Sequence, residues 1–109
     1  MPSNYSKGRS LEYYVKKKIQ AINYVVFRCA GSRPVDLIAI KRGSILLIEC
    51  KTGLNPYLSS IQLNHIIEIS KITGSTPILA VRKKYRGIRW FRITEKNMKE
   101  IELNDFTLV

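Results

Sequence analysis

Apolar residues recur along this chain at two spacings, and the switches between them divide it into elements. Leu11, Tyr14, Val15, Ile19 and Ile22 stand three or four residues apart, the core stripe of an amphipathic helix that begins between Ser6 and Ser10. Lys16, Lys17 and Lys18 ride mostly on its wet side. Tyr24 to Cys29 is rich in β-formers and reads as a strand, ended by the breaker segment Ala30-Gly31-Ser32-Arg33-Pro34. Two short apolar runs, Val35 to Ile40 and Ile45 to Cys50, flank a tight turn at Lys41-Arg42-Gly43-Ser44 and predict a hairpin. After a Gly/Asn/Pro loop at residues 53–56, Ser59 or Ser60 caps a second helix carrying Leu63, Ile66, Ile67 and Ser70, which stops near Gly74. Pro77 to Val81 and Ile88 to Ile93 follow as strands, and Thr94 caps a short final helix or turn. The predicted order is helix, three strands, helix, two strands, with no internal repeat, low-complexity tract or interdomain linker.

Composition narrows this picture. A chain of 109 residues, 45% hydrophobic, suffices for one core and is too short for two, so a single domain over 1–109 is expected. No apolar run approaches the roughly 18 to 20 residues that cross a bilayer, and the amino terminus shows no apolar signal core, which points to the cytoplasm and to no membrane partner. Cys29 and Cys50 lack disulfide or zinc spacing and are expected as buried reduced thiols; His65 stands alone. Any metal would be held by oxygen ligands.

Charge gives the first functional clue. Nineteen Lys and Arg against eight Asp and Glu leave a net charge of +11, which implies a polyanionic partner, nucleic acid ahead of membrane because no basic amphipathic helix with an aromatic edge is present. The segment from Arg82 to Arg92 holds Lys83, Lys84, Arg86 and Arg89 with Tyr85, Trp90 and Phe91 interleaved and no acid, a candidate DNA-contacting hairpin that also suits an ordinary strand with one wet face. Among residues 1 to 67 the only acids are Glu12, Asp36 and Glu49.

Those three acids carry the chemistry. Side chains alternate along a strand, so Glu49 and Lys51 share one face with Cys50 on the other. A turn centred between Arg42 and Gly43 sets Asp36 directly opposite Glu49, with Cβ atoms about 4.5 to 5.5 Å apart. Like charges so placed repel, and Val-Asp-Leu-Ile-Ala-Ile is a costly setting for an unpaired carboxylate. A hard divalent cation ligated by both acids would offset the repulsion. The plainer alternative has Asp36 tying down the preceding loop, Glu49 and Lys51 forming a rim ion pair, and Glu12 pairing with Lys16 one turn along its helix.

Asp36, a hairpin turn, then Glu49-Cys50-Lys51 resembles the Asp…Glu-x-Lys signature of restriction-endonuclease-like nucleases. More closely, Lys7-Gly8-Arg9-Ser10-Leu11-Glu12, the Ser32 loop, Val35-Asp36-Leu37-Ile38-Ala39, Leu47-Ile48-Glu49-Cys50-Lys51 and Gln62 resemble archaeal Holliday junction resolvases. The family's Asp commonly follows Pro directly, whereas Val35 intervenes here, and beyond residue 74 only a strand pattern is shared.

The resemblance implies an α/β (α+β) fold in which a central mixed five-stranded sheet is flanked by helices. It implies that Asp36 and Glu49 bind Mg2+, or Mn2+ in its place, with the backbone carbonyl of Cys50 as a further ligand and Glu12 completing the acidic site. Lys51 would orient or help deprotonate the attacking water, and Ser32 would join the catalytic group. The cation would polarise the phosphoryl oxygen and leave a nick with a 5′-phosphate. Lys7, Arg9, Arg33, Gln62, Lys83, Lys84, Arg86 and Arg89 are the candidate DNA contacts. Each of the second-line residues has a plain alternative: Arg9 as a surface helix residue, Ser32 as a turn former, Gln62 as a solvated helix residue. Implied partners are branched DNA, above all a four-way junction, and a second copy in a homodimer that nicks opposing strands. A replication or recombination helper protein stands as a further candidate, and nucleoid association as the expected location. The competing readings are a nuclease of the same fold acting on flaps, nicked duplex or a restriction site, and a non-catalytic DNA-binding module.

Overall fold

The computed structural model describes residues 4–53, 58–82, 87–95 and 97–108, with side chains left out for 4–9, 107 and 108. Helix α1 spans Asn4–Gln20, strand β1 Val25–Arg28, β2 Leu37–Lys41, β3 Ser44–Thr52, helix α2 Ser60–Thr73, β4 Thr76–Arg82, β5 Ile88–Ile93 and β6 Met98–Ile101. A 3-10 turn at Ala30–Ser32 links β1 to β2, and another at Leu103–Leu108 closes the described chain. The strands lie in sequence order in one mixed sheet. All neighbours are antiparallel except β3 and β4, which run parallel through the α2 crossover.

The sheet has six strands where five were expected. The chain does not enter a helix after Thr94. Its hydroxyl donates to the Asn97 carbonyl at 2.8 Å and accepts the Asn97 amide at 3.0 Å, and this turn sends Met98–Ile101 back along β5. Met-Lys-Glu-Ile lacks β-branched density because β6 is an edge, and charged side chains on an edge discourage pairing with another chain.

Alternation along β3 feeds two cores. Leu46 and Ile48 point to one face, where Leu11, Val15 and Ile19 of α1 pack with Leu37, Ala39, Ile78, Ala80, Trp90 and Phe106. Leu47 points to the other, with Val35, Ile66, Leu79, Val81 and Ile93. Trp90 and Phe106 meet edge to face at 5.5 Å between ring centres, which assigns both to the core. Leu108 and Val109 lie outside the described side chains. Tyr14 is a correction to the helical stripe: it is 49% exposed, beside the Arg82 guanidinium at 5.3 Å. Helix α2 starts at Ser59 with a reciprocal capping box and ends at Gly74, whose left-handed φ of 68° a side chain would strain. Gly43 supplies the positive φ, 78°, that the β2–β3 turn demands. Among the described residues no helix is long and apolar enough to cross a membrane.

Candidate active site

The β2–β3 ladder runs from Lys41 opposite Ser44 to Leu37 opposite Ile48, so Asp36 and Glu49 are the next pair in register. Here the ladder of backbone bonds gives way to side chains. The Asp36 amide donates to Glu49 Oε1 at 2.9 Å, and the Cys50 amide donates to Asp36 Oδ2 at 2.8 Å. The Asp36 carbonyl accepts the Cys29 amide at 2.9 Å, tying the residue to the end of β1 as well. Each carboxylate is thus fixed by one oxygen to the opposite strand's backbone. Asp36 is 7% exposed and Glu49 5%. Burial, then the neighbouring Asp36 charge, push the Glu49 carboxyl up to about 7, against the downward pull of Lys51. Lys51 is half-buried and follows Glu49 by two residues on the same strand, hence on the same face.

Glu12 sits differently. It extends from α1, which packs on the Leu46–Ile48 face, whereas Glu49 shares the Leu47 face. Its Oε2 accepts from Arg28 Nε at 3.0 Å, a pairing between α1 and β1 where the plainer alternative had Lys16. Nothing in the local sequence announces Arg28, because the contact spans sixteen positions. Among the described residues no three His, Cys, Asp or Glu side chains converge as a metal cluster. The oxygen donors that do converge are those of Asp36 and Glu49 beside the Cys50 backbone, a donor set suited to a hard cation that completes its shell with water and phosphate. Burial pushes the thiols of Cys29 and Cys50 upward, so neither is a ready nucleophile or ligand at neutral pH.

The remaining candidates divide. Ser32 is exposed in the turn before β2 with a left-handed φ of 55°, its amide bonded to the Cys29 carbonyl at 3.1 Å; Arg33 beside it is exposed. Gln62 serves the α2 capping box, its Oε1 accepting the Ser59 amide at 3.2 Å. Arg89 is held by Glu100 of β6 in a pair with contacts of 2.8 Å. The side chains of Lys7 and Arg9, and all of Lys83, Lys84 and Arg86, lie outside the described residues.

A mixed sheet with one helix against each face, with paired acids at the end of the β2–β3 ladder and a lysine two residues on, is the restriction-endonuclease-like class of nuclease folds. A solved structure described as a Holliday junction resolvase from Archaeoglobus fulgidus shares the fold with a TM-score of 0.73, 24% identity and coverage of 94% of this chain and 89% of that one. Residues 3–107 match the family described as archaeal Holliday junction resolvase, and the chain belongs to that family. Proteins named crossover junction endodeoxyribonuclease are similar to it. The one from Methanocaldococcus jannaschii is 37% identical over 75% of this chain and 63% of its own length. The one from Sulfurisphaera tokodaii is 33% identical over 94% of this chain and 81% of its own.

Proposed function

We propose that this protein is a divalent-metal-dependent endodeoxyribonuclease that resolves four-way DNA junctions by paired nicks, each leaving a 5′-phosphate. The observation that carries the reading is the buried Asp36–Glu49 pair, two carboxylates fixed side by side in a protein whose net charge is +11. Family membership supplies the junction as substrate. Mg2+, or Mn2+, held by Asp36, Glu49 and the Cys50 carbonyl would supply Lewis-acid polarisation of the phosphate and a water made more acidic. Asp36 holds its carboxylate in place through the Cys50 amide, so ligand geometry is set before substrate arrives. Lys51, on the same face, meets the charge that develops on the phosphate and orients the incoming water. Glu12 stands behind them as a positioning acid anchored by Arg28, and Ser32 and Arg33 border the Asp36 loop where a phosphate approaches.

Symmetric nicking requires two sites, and a homodimer provides them. In its support, Val25 and Phe27 of edge strand β1 are 60% and 53% exposed beside Ile40 of β2, an apolar strip on the face that α1 leaves bare. The test is Asp36→Asn assayed on a labelled four-way junction in Mg2+. Cleavage is expected to vanish while junction binding stays equal or tightens, because one negative charge facing phosphate is gone. Cleavage at the wild-type rate would overturn the site.

A further inference from the structure

A second like-charge pair crosses the sheet, and it is basic. Arg92 of β5 stands directly opposite Lys99 of β6, both exposed. Cβ atoms so paired are about 4.5 to 5.5 Å apart, and like charges there cost stability unless an ion lies between them. Among the described residues, each of the acids around them has another partner. Glu95 pairs with Lys71, Glu100 with Arg89, and Asp105 Oδ2 accepts the Glu102 amide at 2.8 Å. Arg92 and Lys99 line the same concavity with Leu46, Ile78 and Phe106, and the acidic residues Glu100 and Asp105 line it too.

The register fixes where this pair lies relative to the acids. Leu37, Ile48, Ile78, Arg92 and Lys99 form one row across five strands. At about 4.8 Å per strand, Arg92 is about 10 Å and Lys99 about 14 Å across the sheet from β3. Arg92 alternates with Trp90 and pairs with Ile78, both on the α1 face, whereas Glu49 shares the α2 face with Leu47. By backbone register the two charged pairs fall on opposite faces of the sheet, and Arg92 and Lys99 also border a concavity with Ile67, Ser70 and Lys71 of α2. A duplex whose phosphate reaches Glu49 on the α2 face does not lay the same stretch of backbone on the α1-face concavity of Arg92 and Lys99 without passing round the sheet edge.

The geometry points to Arg92 and Lys99 as a second phosphodiester-binding site, one that holds a different arm of a branched DNA from the arm being cut. This rests on the junction reading and extends it: two duplex arms held on two faces of one sheet make branching, rather than base sequence, the feature that is recognised. Arg92 offers a planar fork and Lys99 a point charge to one phosphate, and the anion removes the repulsion that the free protein carries.

The test uses Lys99→Glu and the double variant Arg92→Gln/Lys99→Gln, with binding measured in EDTA so that the result does not depend on cleavage. Lys99→Glu converts the repulsive pair into an attractive one, so its melting temperature is expected to rise by a few degrees, while its affinity for a four-way junction falls by about tenfold at 0.1 M salt. For the double variant the slope of log affinity against log salt is expected to drop by one to two units on the junction, and by less on a linear duplex of equal arm length. Inorganic phosphate titrated into the labelled wild-type protein is expected to shift the Arg92 and Lys99 resonances, and to leave position 99 unmoved in Lys99→Glu. Equal losses on junction and linear duplex would overturn the second-arm assignment, and unchanged junction affinity would overturn the site altogether. Failure of the wild type to cleave junctions would count against the proposed activity and leave this binding comparison to decide the site on its own.

Discussion

Glu49 is expected to weaken the fold it sits in, and Glu49→Gln makes that measurable. In the folded protein its carboxyl lies near 7, against an ordinary 4.5, chiefly through burial and then through the Asp36 charge. The folded state thus holds the proton more tightly than the unfolded chain. A carboxyl raised in this way costs nothing below pH 4.5, and the cost grows with pH until it is complete above 7. Two and a half powers of ten in proton affinity, at about 1.4 kcal/mol each, amount to about 3 kcal/mol at pH 8 and to under about 1 kcal/mol at pH 5. Glutamine has the same shape. It keeps an oxygen to accept the Asp36 amide and offers an N–H to the Asp36 carboxylate, so charge repulsion becomes a hydrogen bond. With an unfolding entropy of about 2.1 cal/mol/K per residue, 3 kcal/mol corresponds to about 13 °C in this chain. Thermal melts of both proteins in EDTA at pH 5 and pH 8 are the assay. The variant is expected to gain about 13 °C at pH 8 and a few degrees at pH 5. An equal difference at both pH values, or a loss at pH 8, would refute the reasoning.

Three further outcomes follow from the same contacts. Because a protonated Glu49 cannot ligate a cation, apparent Mg2+ affinity measured by titration is expected to rise about tenfold from pH 6 to pH 8 and then level off; affinity flat with pH would contradict it. Gln62→Ala, which breaks the capping box, is expected to cost about 0.5 to 1 kcal/mol in denaturant melts, whereas Gln62→Glu keeps the box and the stability. A drop in cleavage by Gln62→Glu would then mark a phosphate contact. Arg89→Ala is expected to change the salt slope of DNA binding by less than one unit, since Glu100 already neutralises that guanidinium; a full unit lost would show that DNA displaces Glu100.

What the sequence revealed and what it hid follow the range of the interactions. The Asp36–Glu49 juxtaposition was legible because a four-residue turn with a glycine fixes register locally, and alternation carries it to both acids. The α2 caps were legible for the same reason, Ser59 and Gly74 acting on their own backbone neighbours. Tyr14 was misplaced because spacing defines a stripe but not how far the sheet beneath it reaches. Strand β6 was missed because an edge strand with three exposed residues in four has no apolar period to read. Its loss also concealed Glu100 beside Arg89 and Lys99 opposite Arg92, which turns one basic segment into a neutralised guanidinium and a cross-strand cationic pair. The Glu12–Arg28 bond joins a helix to a strand through tertiary packing alone, so no local pattern encodes it.

The most direct test of the central claim is strand mapping on an immobile four-way junction, each of its four strands labelled in turn at the 5′ end, with Mg2+ or EDTA. The proposed function requires nicks at symmetric positions in two opposing strands, in Mg2+ only, with linear duplex left uncut. Cleavage of linear duplex as readily as junction, or nicking that persists in EDTA, would contradict it.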